Sequence, residues 1–308
     1  FILVQIIAYI IGVLVCAALL LKKIDRIRFD FRPKQALNVL KESFYYALLV
    51  LLVLSYYKID AVMIERLLPE GDREAGIYAQ AYKLLEASII FAYLFSTLLL
   101  PMFSRMIKKQ EKVLSLVRLA DQLMLIPATI LAVGAAYFSE ELMGLLYKEG
   151  IAESAEVFTL LILSLIPIGA SYIYGTLITA KGDLKTLNII AGIGLLINVI
   201  GNAYFIPKHG IYGAAIMTLF TQTIVCLSQV IVAHRMFSLE VRFRDVAKVV
   251  MLIIALPILY WALDARLDSW MLELGAFVLL SMLLATVMGL FSIKKLGEVI
   301  RLREGSES

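Results

Sequence analysis

Apolar positions in this chain run in long blocks, and short polar segments separate them. Nine blocks approach the ~20 residues that a helix needs to cross ~30 Å of hydrocarbon. They are 1–21, 43–64, 84–104, 119–138, 157–179, 187–206, 211–233, 248–264 and 271–292. The pattern predicts an all-α, polytopic transmembrane bundle of about nine helices. Composition agrees: 61% of the residues are hydrophobic and the mean hydropathy is +0.89. That leaves too little polar surface to coat a soluble domain of this size.

Charge then orients the bundle. If 22–42 is cytoplasmic, alternation puts 105–118, 180–186, 234–248 and 293–308 on the same side, and these five segments hold 22 of the 29 Lys and Arg. With each acid counted on its nearer side, the net charge is +11 inside and −7 outside. Because positive charge stays cytoplasmic, the N-terminus is expected outside and the C-terminus inside, in the cytoplasmic (inner) membrane. The basic residues are spread over short loops beside lipid headgroups, so they do not argue for nucleic acid. The chain opens on Phe1 inside an apolar block, and we expect it to be the C-terminal portion of a longer protein.

The loops are short, and 65–83 and 139–156 are too small to fold as domains. Segment 22–42 mixes basic and apolar residues and reads as a linker along the cytoplasmic surface. Pro127, Pro167 and Pro257 fall within spans, and Pro101 near the inner end of one; each removes a backbone hydrogen bond. Cys16 and Cys226 both lie in apolar spans, which suggests neither a disulfide nor a metal site. No nucleotide-binding or hydrolytic motif appears, so we expect a transporter rather than an enzyme, without cofactor or metal.

Ionisable residues within spans are costly and usually face a cavity or a partner. Segment 43–64 carries Lys58 and Asp60, two residues apart and therefore poor partners for each other. Asp60 must find a partner elsewhere or take up a proton or cation; a snorkelling interfacial pair is the blander alternative. The next span carries Gln80, Lys83 and Glu86 at three-residue steps on one helical face. A local Lys83–Glu86 ion pair is one reading. The other is a polar wall on a water-filled cavity, with Lys83 attracting an anionic headgroup such as pyrophosphate. Arg118 and Asp121 look like interfacial anchors. Ala191, Gly194, Asn198, Gly201 and Asn202 form a small and polar stripe suited to helix packing, with a substrate or cation contact from Asn198 or Asn202 as the alternative. Gln222 and Gln229 share a face of the next helix and could continue that seam. Most of the tyrosines near span ends read as belt residues.

Two stretches carry a family resemblance. YYKIDAVMIERL, continuing through GIYAQAYKLLEASIIFAYLFSTLLLPMFSRM, holds Asp60 to Ile64, Gly76-Ile77-Tyr78 with Ala81 to Lys83, and Leu100-Pro101 with Ser104-Arg105. The second, from Tyr174 to Gln222, holds Lys181 to Lys185 and the turn from Ile206 to Ala215. In order and spacing these resemble the polysaccharide (O-antigen, oligosaccharide) flippases of the multidrug/oligosaccharidyl-lipid/polysaccharide exporter superfamily. The resemblance covers about 40–300 and implies a fourteen-helix parent. In it, 1–21 is the last helix of the first lobe, 22–42 the linker, 43–233 the second six-helix lobe, and 234–308 two additional helices and a tail.

The implied function is flipping a polyprenyl-pyrophosphate-linked oligosaccharide by alternating access, for cell-surface polysaccharide biosynthesis. On this reading Lys58, Lys83, Gln80, Asn198 and Asn202 contact substrate, while Asp60 or Glu86 takes the coupling H+ or Na+. The two nearly uncharged last helices offer a groove for the lipid tail. Membrane lipids, and other polysaccharide assembly proteins, are the expected partners. A cation-coupled drug exporter of the same superfamily, and a non-transporting assembly component, are the competing readings.

Overall fold

The computed structural model describes residues 2–23, 33–240, 243–264 and 269–290. Much of the linker (24–32) and the tail (291–308) lie outside the described residues. Those described are overwhelmingly helical, with no strand among them. Six helical stretches are long and apolar enough to cross a membrane: Ser43–Leu67, Gly71–Lys108, Leu114–Tyr137, Ile151–Lys181, Leu184–Phe237 and Trp270–Val287. Shorter apolar helical stretches lie at Ile6–Leu19 and Ala247–Leu263. The chain divides into Phe1–Phe44 and Tyr45–Ser308. The first unit holds α1 (Ile2–Lys23) and the start of α2 (Pro33–Leu67).

The second unit contains everything from the middle of α2 onward. α3 (Gly71–Lys108) has 38 residues, ~57 Å at 1.5 Å per residue, and so outreaches the hydrocarbon core. The expected outer loop 65–83 therefore shrinks to the few residues between α2 and α3. The next two spans are each broken just before a proline. α4 (Leu114–Ala120) passes through a π-turn at Asp121–Leu125 into α5 (Ile126–Tyr137), where Pro127 sits at the helix start. α7 (Ile151–Leu163) gives way at Ser164 to α8 (Leu165–Lys181), which carries Pro167 in its first turn. There the missing proline N–H has no helical partner to lose. Pro101 and Pro257, by contrast, lie inside α3 and inside α10 (Phe243–Asp264). The loop expected at 139–156 is in large part α6 (Ser139–Leu146).

α9 (Leu184–Phe237) covers two expected spans with one interruption, at Gly210 (φ 59°, ψ −144°). Only glycine adopts that conformation cheaply. Three residues on, a Cβ at Gly213 would stand 2.5 Å from the Phe205 carbonyl oxygen. The two glycines thus make the corner at which α9 changes direction. Its two arms touch where they lack side chains: a Cβ on Gly201 would overlap Met217, and one on Gly194 would meet Val225 at 2.6 Å. The expected packing stripe is therefore an inter-arm contact. Lipid tails are as apolar as leucine, so close backbone approach of this kind, with buried hydrogen bonds, is what holds helices together in a membrane.

α3, α7, α8 and α9 pack around one core that includes Ile64, Tyr78, Leu85, Phe158 and Ile168, and a second core gathers Phe103, Val117, Ile173 and Leu177. α10 and α11 (Trp270–Val287) close against α5 through Leu252, Leu256 and Phe277. Phe277 lies over Gly134, and Tyr260 stacks on Tyr137 with centroids 4.1 Å apart.

Candidate functional site

Asp60 is 1% exposed, and it and Glu273 are the buried acids among the described residues. Its side chain leaves α2 toward α3 and both arms of α9. The Tyr78 hydroxyl on α3 donates to Oδ2 at 2.9 Å, and the Thr218 hydroxyl on the second arm donates to the same oxygen. Tyr78 and Thr218 are themselves 3.2 Å apart. Asn202 on the first arm donates through Nδ2 to Oδ1 at 2.6 Å, and through the same nitrogen to Asn198 Oδ1 at 3.1 Å. No Lys, Arg or His joins Asp60 among the described residues. The Oδ1 of Asn202 is out of reach of solvent and bonds to no described residue.

This set is costly by itself. Taking a carboxylate out of water costs several kcal/mol even after relaxation, and a hydrogen bond to a charged group returns ~1.5–3 kcal/mol. Three donors offset much of the cost without neutralising the charge. A proton on Asp60 would neutralise it, and so would a hard monovalent cation. The side-chain oxygens of Asp60, Asn198, Thr218 and Tyr78 could serve a cation, whereas Asn202 presents its amide nitrogen to the carboxylate and would have to turn to join them.

The other expected residues separate from this set. Lys58 projects away from Asp60 and forms an ion pair with Glu86 of α3 while lying 5.4 Å from the Tyr82 ring centroid. The local Lys83–Glu86 pair is therefore not formed. Lys83 is exposed, with no ion pair or hydrogen bond to a described residue. Gln80 is half-buried, and its Oε1 is solvent-inaccessible and unpaired. Asn198 and Asn202, expected to contact substrate or cation, stand beside Asp60: Asn202 donates to Asp60 and to Asn198. The snorkelling reading of Lys58 and Asp60 fails for Asp60, which points into the bundle.

Sequence reasoning missed Tyr78 and Thr218. Tyr78 was visible in the Gly76-Ile77-Tyr78 run, and Thr218 lies one α9 arm away from Asn202, a pairing only the Gly210 corner creates. Asp121 is also not an interfacial anchor. It accepts a hydrogen bond from Tyr174 at 3.1 Å, and its Oδ1 is buried without a partner. Arg118 instead donates to the Glu240 carbonyl at 3.3 Å. The two histidines stay at opposite ends of α9's arms: His209 lies by Phe205, and His234 by Tyr174 and the Leu239 carbonyl. Cys226 is buried and Cys16 exposed, both as free thiols.

Six helical stretches long and apolar enough to cross a membrane, packed around a buried acid, make this a multi-pass membrane protein with a helix-bundle fold. Residues 1–107, about a third of the chain, match the family described as polysaccharide biosynthesis protein. The chain superposes on a solved structure of the lipid II flippase MurJ in an inward closed conformation, with a TM-score of 0.67 at 18% identity. The match covers 87% of this chain and 57% of that one, so the chain spans little more than half the length of that flippase. At that identity the likeness establishes the fold. No curated protein matches the chain.

Proposed function

We propose that this chain is the ion-coupled part of a non-enzymatic flippase that moves a polyprenyl-pyrophosphate-linked oligosaccharide across the cytoplasmic membrane for cell-surface polysaccharide synthesis. The family match over residues 1–107 and the flippase fold support the class. The observation that carries the reading is the Asp60 set, a buried carboxylate held by three helical segments across the Gly210 corner. Binding H+ or Na+ there would favour the arrangement in which α2, α3 and both α9 arms converge. Releasing the ion would leave a charge that the closed bundle tolerates poorly. A ligand shifts such an equilibrium only by its differential affinity for the two states, and a buried acid supplies that difference.

Glu86, already held by Lys58, is the weaker coupling candidate. Lys83 is the available cation for the pyrophosphate, with Gln80 one turn away. Lys58 contributes once its pair opens. The concentration of Lys and Arg in alternate loops supports an orientation with the N-terminus of this chain outside and its C-terminus in the cytoplasm. The direct test reconstitutes the protein in proteoliposomes with lipid-linked oligosaccharide extracted from the producing cells. Glycolipid crossing driven by a Na+ or H+ gradient, and lost in Asp60→Asn, is the expected result. Efflux of cationic dyes without glycolipid movement would overturn it in favour of a drug exporter.

A further inference from the structure

Charged and aromatic residues share one exposed face of α3, and the pattern has a period. Lys83, Glu86, Ile90, Tyr93 and Thr97 follow one another at steps of three and four, a single helical stripe. Glu86 is paired with Lys58 and Lys83 is unpaired, so the outer end of this stripe cannot face lipid tails without several kcal/mol of penalty. That end therefore faces water or the substrate, and Tyr93 and Thr97 continue the same helical face inward. Phe91, Leu94 and Leu98, one residue off the stripe, supply the lipid-facing side.

On that wet stripe Tyr93 is 55% exposed, and its ring meets Tyr172 of α8 edge-on with centroids 6.4 Å apart. Tyr82, eleven residues before Tyr93, lies ~16 Å further along α3, beneath the Lys58 ammonium. The hydroxyls of Tyr82, Tyr93 and Tyr172 donate to no described residue. A tyrosine here is a poor belt residue, because Tyr93 lies mid-helix, far from either headgroup layer. It is also a poor core residue, because its ring is open.

We propose that Tyr93 and Tyr172 form a stacking platform for the sugar rings of the transported glycolipid, with Lys83 and the Lys58–Glu86 pair toward its pyrophosphate. A pyranose has apolar C–H faces and a rim of hydroxyls. Exposed Tyr93 and partly buried Tyr172 offer it flat apolar rings and unclaimed hydroxyl groups at once. Charge and aromatic rings then divide one wall between the two chemical parts of one headgroup. The inference rests on the flippase reading above and adds to it the residues that recognise the saccharide.

The test measures binding of two probes to purified full-length protein. One is the glycolipid extracted from the producing cells, and the other is polyprenyl pyrophosphate with the sugar removed. Wild type is expected to bind the glycolipid more tightly. Tyr93→Leu and Tyr172→Leu should each weaken glycolipid binding about tenfold, near the upper end of an aromatic contact, and leave the sugar-free lipid within about twofold. Tyr93→Phe, which keeps the ring, should recover most of the loss. Tyr172 contributes to the helix packing, whereas Tyr93 is open enough for its Leu variant to fold. Equal weakening of both lipids, or no change in either, would overturn the platform. A wild type without preference for the sugar would overturn it too, while leaving the flippase reading standing. A wild type that binds neither lipid would remove both.

Discussion

Lys58 and Asp60 are separated by one residue on α2, yet one is 62% exposed at its side chain and the other is 1% exposed within a buried polar set. The 200° turned by two helical residues is the whole cause. One face of α2 looks toward Glu86 and the stripe on α3, where charges meet water. The other looks inward at Tyr78, Asn202 and Thr218. The two regions handle charge by opposite means. The exposed pair is neutralised locally and screened, so it adds little to the stability of the fold. The buried acid has hydrogen bonds in place of a counter-charge, so its state is linked to the position of every helix that supplies one. On the function proposed above, a single helix thereby separates substrate contact at Lys58 from ion uptake at Asp60, while keeping the two within one turn of each other.

The largest effect should come from the acid itself. Asp60→Asn keeps the shape and removes the charge, and should lower ion-driven transport by at least about 100-fold, the upper range for losing even a partner that orients an ion's ligand. Transport assays with and without an imposed ion gradient check this; undiminished coupling in the variant would break the comparison. Thr218→Val deletes one donor to Asp60 at similar volume. It should cost ~1.5–3 kcal/mol in the affinity or stability of that set, read as a shift in the ion concentration giving half-maximal transport. Gly210→Ala meets no neighbour, since its Cβ would point into open space. Its cost is backbone strain alone, ~1–3 kcal/mol, visible as a lower unfolding midpoint in detergent. A value near zero would mean that the corner is not held at the observed angles.

Much of this was legible in advance. Apolar block length specified the helices because the bilayer allows few alternatives, and the cost of an intramembrane acid singled out Asp60. The small stripe from Ala191 to Gly201 was readable as a packing surface for the same reason. What escaped notice depended on chain reversal. Asn202 and Thr218 are far apart in sequence and meet only because Gly210 turns α9 back on itself. Helical periodicity carries no information across such a corner. Glu86 was drawn to the nearer Lys83 on its own helix, whereas the pair that forms crosses to Lys58 on α2. Asp121 looked interfacial because it sits beside Arg118, but the π-turn that starts at Asp121 carries it inward to Tyr174.

The smallest effect, and the sharpest test of the contrast, belongs to the Lys58–Glu86 pair. Both side chains are more than a third exposed, so water competes for each and their attraction is heavily discounted. A double-mutant cycle with Lys58→Ala and Glu86→Ala should return a coupling of ~0.2–1 kcal/mol in thermal stability, shrinking as salt is added. The equivalent cycle between Asp60 and Asn202, where both groups are buried, should return more and lose little of it to salt. If the exposed pair instead showed the larger, salt-insensitive coupling, the α3 stripe would be a sealed helix contact rather than a wet wall. The division of charge on α2 would then have to be abandoned along with the sugar platform built upon it.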